Sequence, residues 1–248
     1  MEGVLQMDTG GIDMLERNRI YNMDVLEGLR ALPDDSVDLI VTSPPYNKGY
    51  WSVNRRTNIT KGSFYTKSRR IDYGVFDDTM DPDEYVTWQK EILDECLRVI
   101  KPTGSIFYNH CEIHRDCLAI HPTYVYDYPV KQLIIWDKGS TPRLDKSYFY
   151  PTTEFIYWIK KTKKARPYFD RKNAMFNRAV WYFPPDRHNT HPAPFPQALP
   201  ENCILACTKP GDLVLDPFMG SGTTARAAKL HGRDYIGFEL NPEYIQEV

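Results

Sequence analysis

The sequence predicts an α/β fold built around an open, mostly parallel sheet, and three observations carry that expectation. Strand-length runs rich in β-branched residues alternate with helical stretches whose apolar residues recur every three or four positions. Two of the runs, Val37–Val41 and Leu213–Leu215, lead straight into short motifs, Thr42-Ser43-Pro44-Pro45-Tyr46-Asn47 and Asp216-Pro217-Phe218-Met219-Gly220-Ser221-Gly222-Thr223-Thr224. Loops at the carboxyl ends of strands are where open sheets hold ligands, so both motifs are candidate site loops. No apolar run exceeds strand length, so none is expected to span a bilayer.

Taken in order, Ile20-Tyr21 is a brief strand and Val25–Leu32 a short helix ended by Pro33-Asp34-Asp35. Strand Val37–Val41 follows. Pro82 at a first helical position, Glu84 in the first turn, and Tyr85, Trp88, Ile92, Cys96 and Val99 at spacings of three and four predict a long helix, stopped by Lys101-Pro102-Thr103-Gly104. Strands are expected at Ser105–Tyr108, Gln132–Trp136 and Glu154–Ile159. Residues 161–190 keep no period and are rich in basic, aromatic and proline residues, which predicts an irregular insertion. A helix over 197–208, strand Leu213–Leu215, helix Thr223–His231, strand Tyr235–Phe238 and a turn from Pro242 complete the order. If the terminal strands join the same sheet, it has seven strands.

At 42% apolar and 26% charged residues the composition is that of a globular domain. Acidic Glu2, Asp8 and Asp13 stand where a secretory leader would be basic and then apolar, so a cytoplasmic location is expected. Five cysteines do not make a disulfide framework; they are expected to be reduced and mostly packed, with Cys203 and Cys207 on one helix face. The net charge of −2 hides a strong asymmetry. Between Asp38 and Asp72 there is no acid, while Lys48, Arg55, Arg56, Lys61, Lys67, Arg69 and Arg70 accumulate. A second run, Lys160, Lys161, Lys163, Lys164, Arg166, Arg171 and Lys172, contains only Asp170. Tyr50, Trp51, Phe64, Tyr65 and Tyr73 accompany the first run, and Tyr168, Phe169 and Phe176 the second. Exposed rings beside cations can stack on bases, so a polyanionic partner is expected, with Arg55, Arg56, Lys61, Lys163, Lys164 and Arg166 as its contacts.

The second motif fits a Gly-x-Gly-x-x-Gly/Ala loop between strand and helix, through Gly220, Ser221, Gly222, Thr223, Thr224 and Ala225. Glu239, 17 residues beyond Gly222, ends the next strand, where a carboxylate can accept both hydroxyls of a ribose. Alone, this specifies an adenosine-containing ligand and leaves nicotinamide dinucleotides open. Asp216 as an anion beside a cationic ligand, and the nine residues left after Glu239 for a second half-sheet, favour S-adenosylmethionine.

Together the two motifs resemble those of the S-adenosylmethionine-dependent DNA amino-methyltransferases, which modify exocyclic amines of bases. The order, catalytic motif first and Gly-rich loop last, resembles the permuted β-class group of that family. The resemblance covers nearly the whole chain. It implies a Rossmann-like seven-stranded methyltransferase sheet, with 1–160 as the catalytic half, 161–190 as the target-recognition insertion and 191–248 as the cofactor half. It implies Ser43, Pro44, Pro45 and Tyr46 as catalytic residues, with Asp216, Phe218, the Gly220–Thr223 loop and Glu239 at the cofactor. By the same resemblance Asp24 holds the adenine amino group, and Phe195, in His191-Pro192-Ala193-Pro194-Phe195-Pro196, packs on the methionine end. Double-stranded DNA is the implied substrate, a restriction endonuclease is an implied partner, and no metal is implied.

The chemistry explains the first motif. An exocyclic amine is a poor nucleophile because its lone pair is delocalised into the ring, so its hydrogens must be drawn away while the lone pair is aimed at the sulfonium methyl. The Pro44 carbonyl, held by a rigid Pro-Pro backbone, and the Ser43 hydroxyl can accept those hydrogens. Tyr46 can stack on an extruded base, worth about 1–3 kcal/mol against the few that flipping costs. In the family a serine at the first position goes mostly with cytosine N4 and an aspartate with adenine N6, so cytosine N4 is expected. His110-Cys111-Glu112 has the His-x-Glu of zinc deaminases, but the Pro-Cys-x-x-Cys partner is absent, and a strand end leading into a helix is expected there. A non-catalytic nucleic-acid-binding subunit would show damage to one motif. Protein or RNA amide methylation would go with Asn at position 43 and the other motif order.

Overall fold

A computed structural model describes residues 15–53, 76, 78–115, 118–141, 149–185 and 195–245. Ten strands are present among them: β1 Arg19–Asn22, β2 Val37–Thr42, β3 Ile100–His110, β4 Ile113–Arg115, β5 Leu118–Ile120, β6 Val130–Asp137, β7 Thr153–Ile159, β8 Val180–Tyr182, β9 Leu213–Asp216 and β10 Asp234–Glu239. Five helices accompany them: α1 Val25–Arg30, α2 Lys48–Val53, α3 Pro82–Val99, α4 Ala198–Cys207 and α5 Thr223–Leu230. Eight strands form one sheet in the order β1-β10-β9-β2-β3-β7-β6-β8, and β4 pairs with β5 apart from it. The seven expected strands are all there. The eighth, β8, comes from the insertion and lies parallel to β6 at the edge. After His110 the chain forms the β4–β5 hairpin instead of the expected helix.

The strands from β1 to β3 are mutually parallel, whereas β7 runs antiparallel to both β3 and β6. Helices cover both faces. Leu29 of α1 and Ile92, Leu93 and Cys96 of α3 meet Ile40, Ile106 and Phe238 on one face; Cys203 and Ile204 of α4 and Ala227 of α5 meet Val41, Phe107 and Val214 on the other. The apolar runs of β2 and β9 are buried throughout, as a strand covered on two faces requires. Asp81 caps α3 by accepting from Asp83 N at 3.0 Å, and Pro82 follows at the first turn. The four described cysteines, Cys96, Cys111, Cys203 and Cys207, are free and buried. Among the described residues no helix is long and apolar enough to cross a membrane, and no group of His, Cys, Asp and Glu is placed to hold a metal.

The antiparallel turn of β7 sends the insertion to an unexpected place. His110 at the carboxyl end of β3 pairs with Phe155, and Ile106 pairs with Ile159, so the chain leaves β7 at the amino-terminal edge of the sheet. There Lys161 Nζ bonds Asp35 and the carbonyls of Arg98 and Ile100, and Tyr168 N donates to Thr103 O. Phe169 packs on Trp158 at 5.2 Å while remaining 45% exposed, and Phe176 packs on the buried Phe183 at 5.4 Å.

Close approach of α1 to the sheet depends on Gly28, where a Cβ would meet the Phe238 ring at 2.6 Å. Gly28→Ala should therefore lower stability by about 1–3 kcal/mol through overpacking. Denaturant unfolding measures it, and an unchanged midpoint would contradict this packing.

Candidate active site

Strands β2 and β9 are neighbours, with Leu39 opposite Val214 and Ile40 opposite Leu215. The two motif loops therefore emerge side by side at the point where the strand order diverges in both directions. Between them lies a cleft of about 750 Å³, part of it open to solvent. Asp24, Ser43, Pro44, Pro45, Tyr46, Phe218 and Glu239 all line it, so the two ends of the sequence do meet.

On the Gly-rich side, Gly220 and Gly222 adopt φ of 53° and 82°, a left-handed backbone that favours glycine. The loop folds back so that Gly220 N donates to Glu239 Oε2 and Asn241 N to Oε1, each at 2.8 Å. The carboxylate is thus held by backbone amides while its side chain lines the cleft, where it can meet ligand hydroxyls. Burial raises the Glu239 carboxyl, and those amides pull it back down. Asp24 caps α1 by accepting from Leu26 N at 2.8 Å with Oδ1. Met23, Phe76, Trp88, Phe218, Phe238 and Leu240 make the apolar walls, with Trp88 edge-on to Phe218 at 5.8 Å. An aromatic slot ending at a carboxylate held by backbone amides suits a purine nucleoside.

Asp216 departs from expectation. It is fully buried, it does not line the cleft, and each of its oxygens accepts from within the protein. Oδ1 accepts from Thr42 Oγ1 at 2.9 Å and Phe218 N at 3.1 Å, and Oδ2 accepts from Thr224 Oγ1 at 2.7 Å. Burial pushes its pKa up to about 6, against the pull of those donors. It ties the two motif loops together from behind the cleft wall. Ser221 and Thr223 are likewise buried in the loop. Phe195 packs against the opposite core layer, among the α4 and α5 residues, and does not line the cleft.

On the catalytic side, Asn47 takes a left-handed φ of 56° that ends the Ser-Pro-Pro-Tyr turn, and its Nδ2 donates to Met80 O at 2.8 Å. The Pro45 carbonyl accepts from Tyr85 Oη at 2.8 Å and Gln89 Nε2 at 3.4 Å. Tyr46 is 7% exposed, so it is no open platform. Its ring lies 4.6 Å from that of His110, and Lys48 Nζ stands over it at 4.6 Å. Its hydroxyl is 2.5 Å from Ser43 Oγ, accepts from Asn109 Nδ2 at 2.9 Å, and donates to Glu154 Oε2 at 3.4 Å. Lys138 Nζ pairs with Glu154 Oε1 at 3.0 Å.

Sequence patterns did not disclose Asn109, Glu154, Lys138 or Lys48 as part of this site. Asn109 and Glu154 leave only a polar residue at each of two strand ends, and Lys48 appears only as the first member of a basic run. Of the basic contacts expected, Arg55, Arg56 and Lys61 lie outside the described residues. Lys163, Lys164 and Arg166 are exposed at the amino-terminal edge, separated from the cleft by the seven residues of β7, about 20 Å. They thus stand at the opposite ends of the strands from the cleft.

Comparison with known proteins agrees with the geometry. The family model described as DNA methylase, of the N6/N4 type, matches residues 37–248. The type II methyltransferase M.BglII of Bacillus subtilis is 30% identical over 92% of this chain and 67% of its own. The DNA adenine methyltransferase YhdJ of Escherichia coli K12 is 30% identical over 93% and 81%. Among solved structures, a Thermus thermophilus protein described as a DNA modification methylase, complexed with S-adenosylmethionine, matches at TM-score 0.64 with 25% identity over 92% of this chain and 90% of its own. The cytosine-N4-specific PvuII DNA methyltransferase shares the fold at TM-score 0.70 and 23% identity, over 91% and 82%.

His110 gives the site a pH signature. Burial lowers its pKa to about 4, while Nδ1 donates to Cys111 O at 2.8 Å and Nε2 faces Tyr85 Oη at 3.0 Å. Below pH ~6.5 the unfolded chain takes up a proton that the folded imidazole refuses, so stability falls as pH drops toward 4, by about 3 kcal/mol in all. Asp216, raised to about 6, works in the opposite direction, so the effect is isolated by comparison with a variant. The stability advantage of wild type over His110→Asn should shrink by about 2 kcal/mol between pH 7 and pH 4.5; a gap that stays constant in urea titrations would contradict a neutral buried imidazole.

Proposed function

The chain belongs to the N6/N4 DNA methylase family, and on that footing we propose that it transfers a methyl group from S-adenosylmethionine to the exocyclic amine of a base flipped out of double-stranded DNA, with cytosine N4 as the target. The observation that carries this reading is the single cleft in which Asp24, Phe218 and Glu239 face Ser43, Pro44, Pro45 and Tyr46. S-adenosylmethionine supplies an electrophilic methyl on sulfur. Glu239 holds the ribose hydroxyls, Phe218, Phe238 and Trp88 enclose the adenine, and Asp24 takes its amino group.

The target amine is held by two acceptors, the Ser43 hydroxyl and the Pro44 carbonyl, the Pro45 carbonyl being already engaged by Tyr85. Drawing both hydrogens out of conjugation restores the nitrogen lone pair and points it across the cleft. Positioning and electrostatics carry the step, and no prior deprotonation is needed. Serine at position 43 supports cytosine N4 through the family's association of that residue with that base. Adenine N6 is the second reading, favoured by the 30% identity to a DNA adenine methyltransferase. A restriction endonuclease as partner accords with the type II relatives.

Nucleoside mass spectrometry of DNA from cells expressing the protein should show N4-methylcytosine. N6-methyladenine alone would replace the base assignment, and unmodified DNA would overturn the activity. Charge reversal at Lys163, Lys164 and Arg166 should leave the salt dependence of DNA binding unchanged, because these residues lie at the far edge of the sheet. A log–log slope shallower by about 0.9 for each residue reversed would place them on the DNA after all.

A further inference from the structure

Ser43 can hold an amine only if its lone pairs face the cleft, so the direction of its own proton matters. Ser43 Oγ and Tyr46 Oη share one hydrogen at 2.5 Å, and the neighbours decide whose it is. Beyond Tyr46 lies Glu154 Oε2, at 3.4 Å, the longest link. Asn109 Nδ2 spends its hydrogens on Glu154 Oε2 at 2.8 Å and Tyr46 Oη at 2.9 Å, and stands 3.3 Å from Ser43 Oγ. Lys138 holds the other carboxylate oxygen, and the Glu154 side chain is only 13% exposed. An ionised carboxylate only accepts. It therefore turns the Tyr46 hydroxyl toward itself, Tyr46 in turn accepts from Ser43, and Ser43 is left with its lone pairs toward the cleft. With the opposite polarity Ser43 would present a donor, which repels an amine hydrogen.

Building on the methyl-transfer reading above, we propose that Ser43, Tyr46 and Glu154 form a proton relay that orients Ser43 as an acceptor and delivers the amine's surplus proton to Glu154. When the carbon–nitrogen bond forms and the carbon–sulfur bond breaks, the amine nitrogen carries a positive charge and one hydrogen too many. That hydrogen passes to Ser43 Oγ, the Ser43 proton to Tyr46 Oη, and the Tyr46 proton to Glu154 Oε2. The sulfonium ends as a thioether, the base as a neutral methylamine and the carboxylate as a carboxylic acid. A cation and an anion have then cancelled, and Glu154 returns its proton to solvent when the product leaves. Burial alone would raise the Glu154 carboxyl; Lys138, Lys48 and the Asn109 hydrogen bond outweigh it and hold the carboxyl below its usual value, so the acceptor is charged at neutral pH. Glu154 acts through Tyr46 and Ser43 and is a positioning residue in this scheme.

The test is single-turnover methylation by the full chain, with cofactor affinity, DNA affinity and melting measured on every variant. Glu154→Gln, which keeps the shape, and Tyr46→Phe, which keeps the ring and the Glu154–Lys138 pair, should each slow methyl transfer 10- to 100-fold at unchanged cofactor and DNA affinity. The double variant should be no slower than the slower single one. Between pH 6 and 9 the wild-type rate should be flat, whereas that of Glu154→Gln should climb as solvent base takes over the proton; Glu154→Asp should regain part of the rate. Wild-type rates in both single variants, additive losses in the double variant, or a flat profile for Glu154→Gln would overturn the relay while leaving methyl transfer in place. Wild-type protein without any amine methylation would overturn the reading on which the relay rests.

Discussion

The Asp216 carboxylate is the interaction on which the site depends. It is buried at the end of β9, and it gathers Thr42 from the end of β2, Thr224 from the first turn of α5 and the amide of Phe218. Thr42 stands 174 positions from Asp216 in the chain. Without these donors the carboxylate would be a desolvated charge with no partner, a cost of several kcal/mol, so its presence commits the loops to their mutual positions. One loop carries Ser43, Pro44, Pro45 and Tyr46, and the other the backbone that holds Glu239. Their relative placement is thus set by three hydrogen bonds to one side chain.

The parallel strands and the loops they aim were legible because apolar periodicity and turn residues are local signals. Strands β2, β3, β6, β7, β9 and β10 fall where their apolar runs stand, α3 runs between Pro82 and Val99, and the Gly-rich loop joins β9 to α5. The α2 helix, the β4–β5 hairpin and β8 were not legible. Each is short, and each exists through what it leans on: β8 has three residues and is held by pairing with β6. Strand position also misled where direction was unknown. A run of lysines records charge but not the edge of the sheet it occupies, and the antiparallel β7 carried Lys163, Lys164 and Arg166 away from the cleft.

The polar half of the site was hidden for a related reason. Asn109 lies on β3 opposite Ile156, and Glu154 lies two residues before that on β7, so register alone brings the two side chains together. The Tyr46-to-Glu154 bond spans 108 positions. Nothing in the local pattern at Glu154 distinguishes it from a polar residue that starts a strand. Asp216 shows the converse error: its place after the strand was legible, but whether it faces ligand or protein depended on two threonines on other elements.

Asp216, Glu239 and Glu154 show how one chemical group is given three roles by its donors. Asp216 has only neutral donors and no open side, so burial dominates and its pKa rises. Glu239 is held by backbone amides and has a side open to the cleft, which suits it to bind hydroxyls. Glu154 alone has a lysine, and it alone is held below the usual carboxylate range despite its burial. The proposed methyl transfer passes a positive charge from sulfur to nitrogen, and the proposed relay needs an anion that stays charged until the proton arrives. Of the three, only the one paired with Lys138 meets that condition, and it is also the one that reaches the Ser-Pro-Pro-Tyr loop through a hydroxyl.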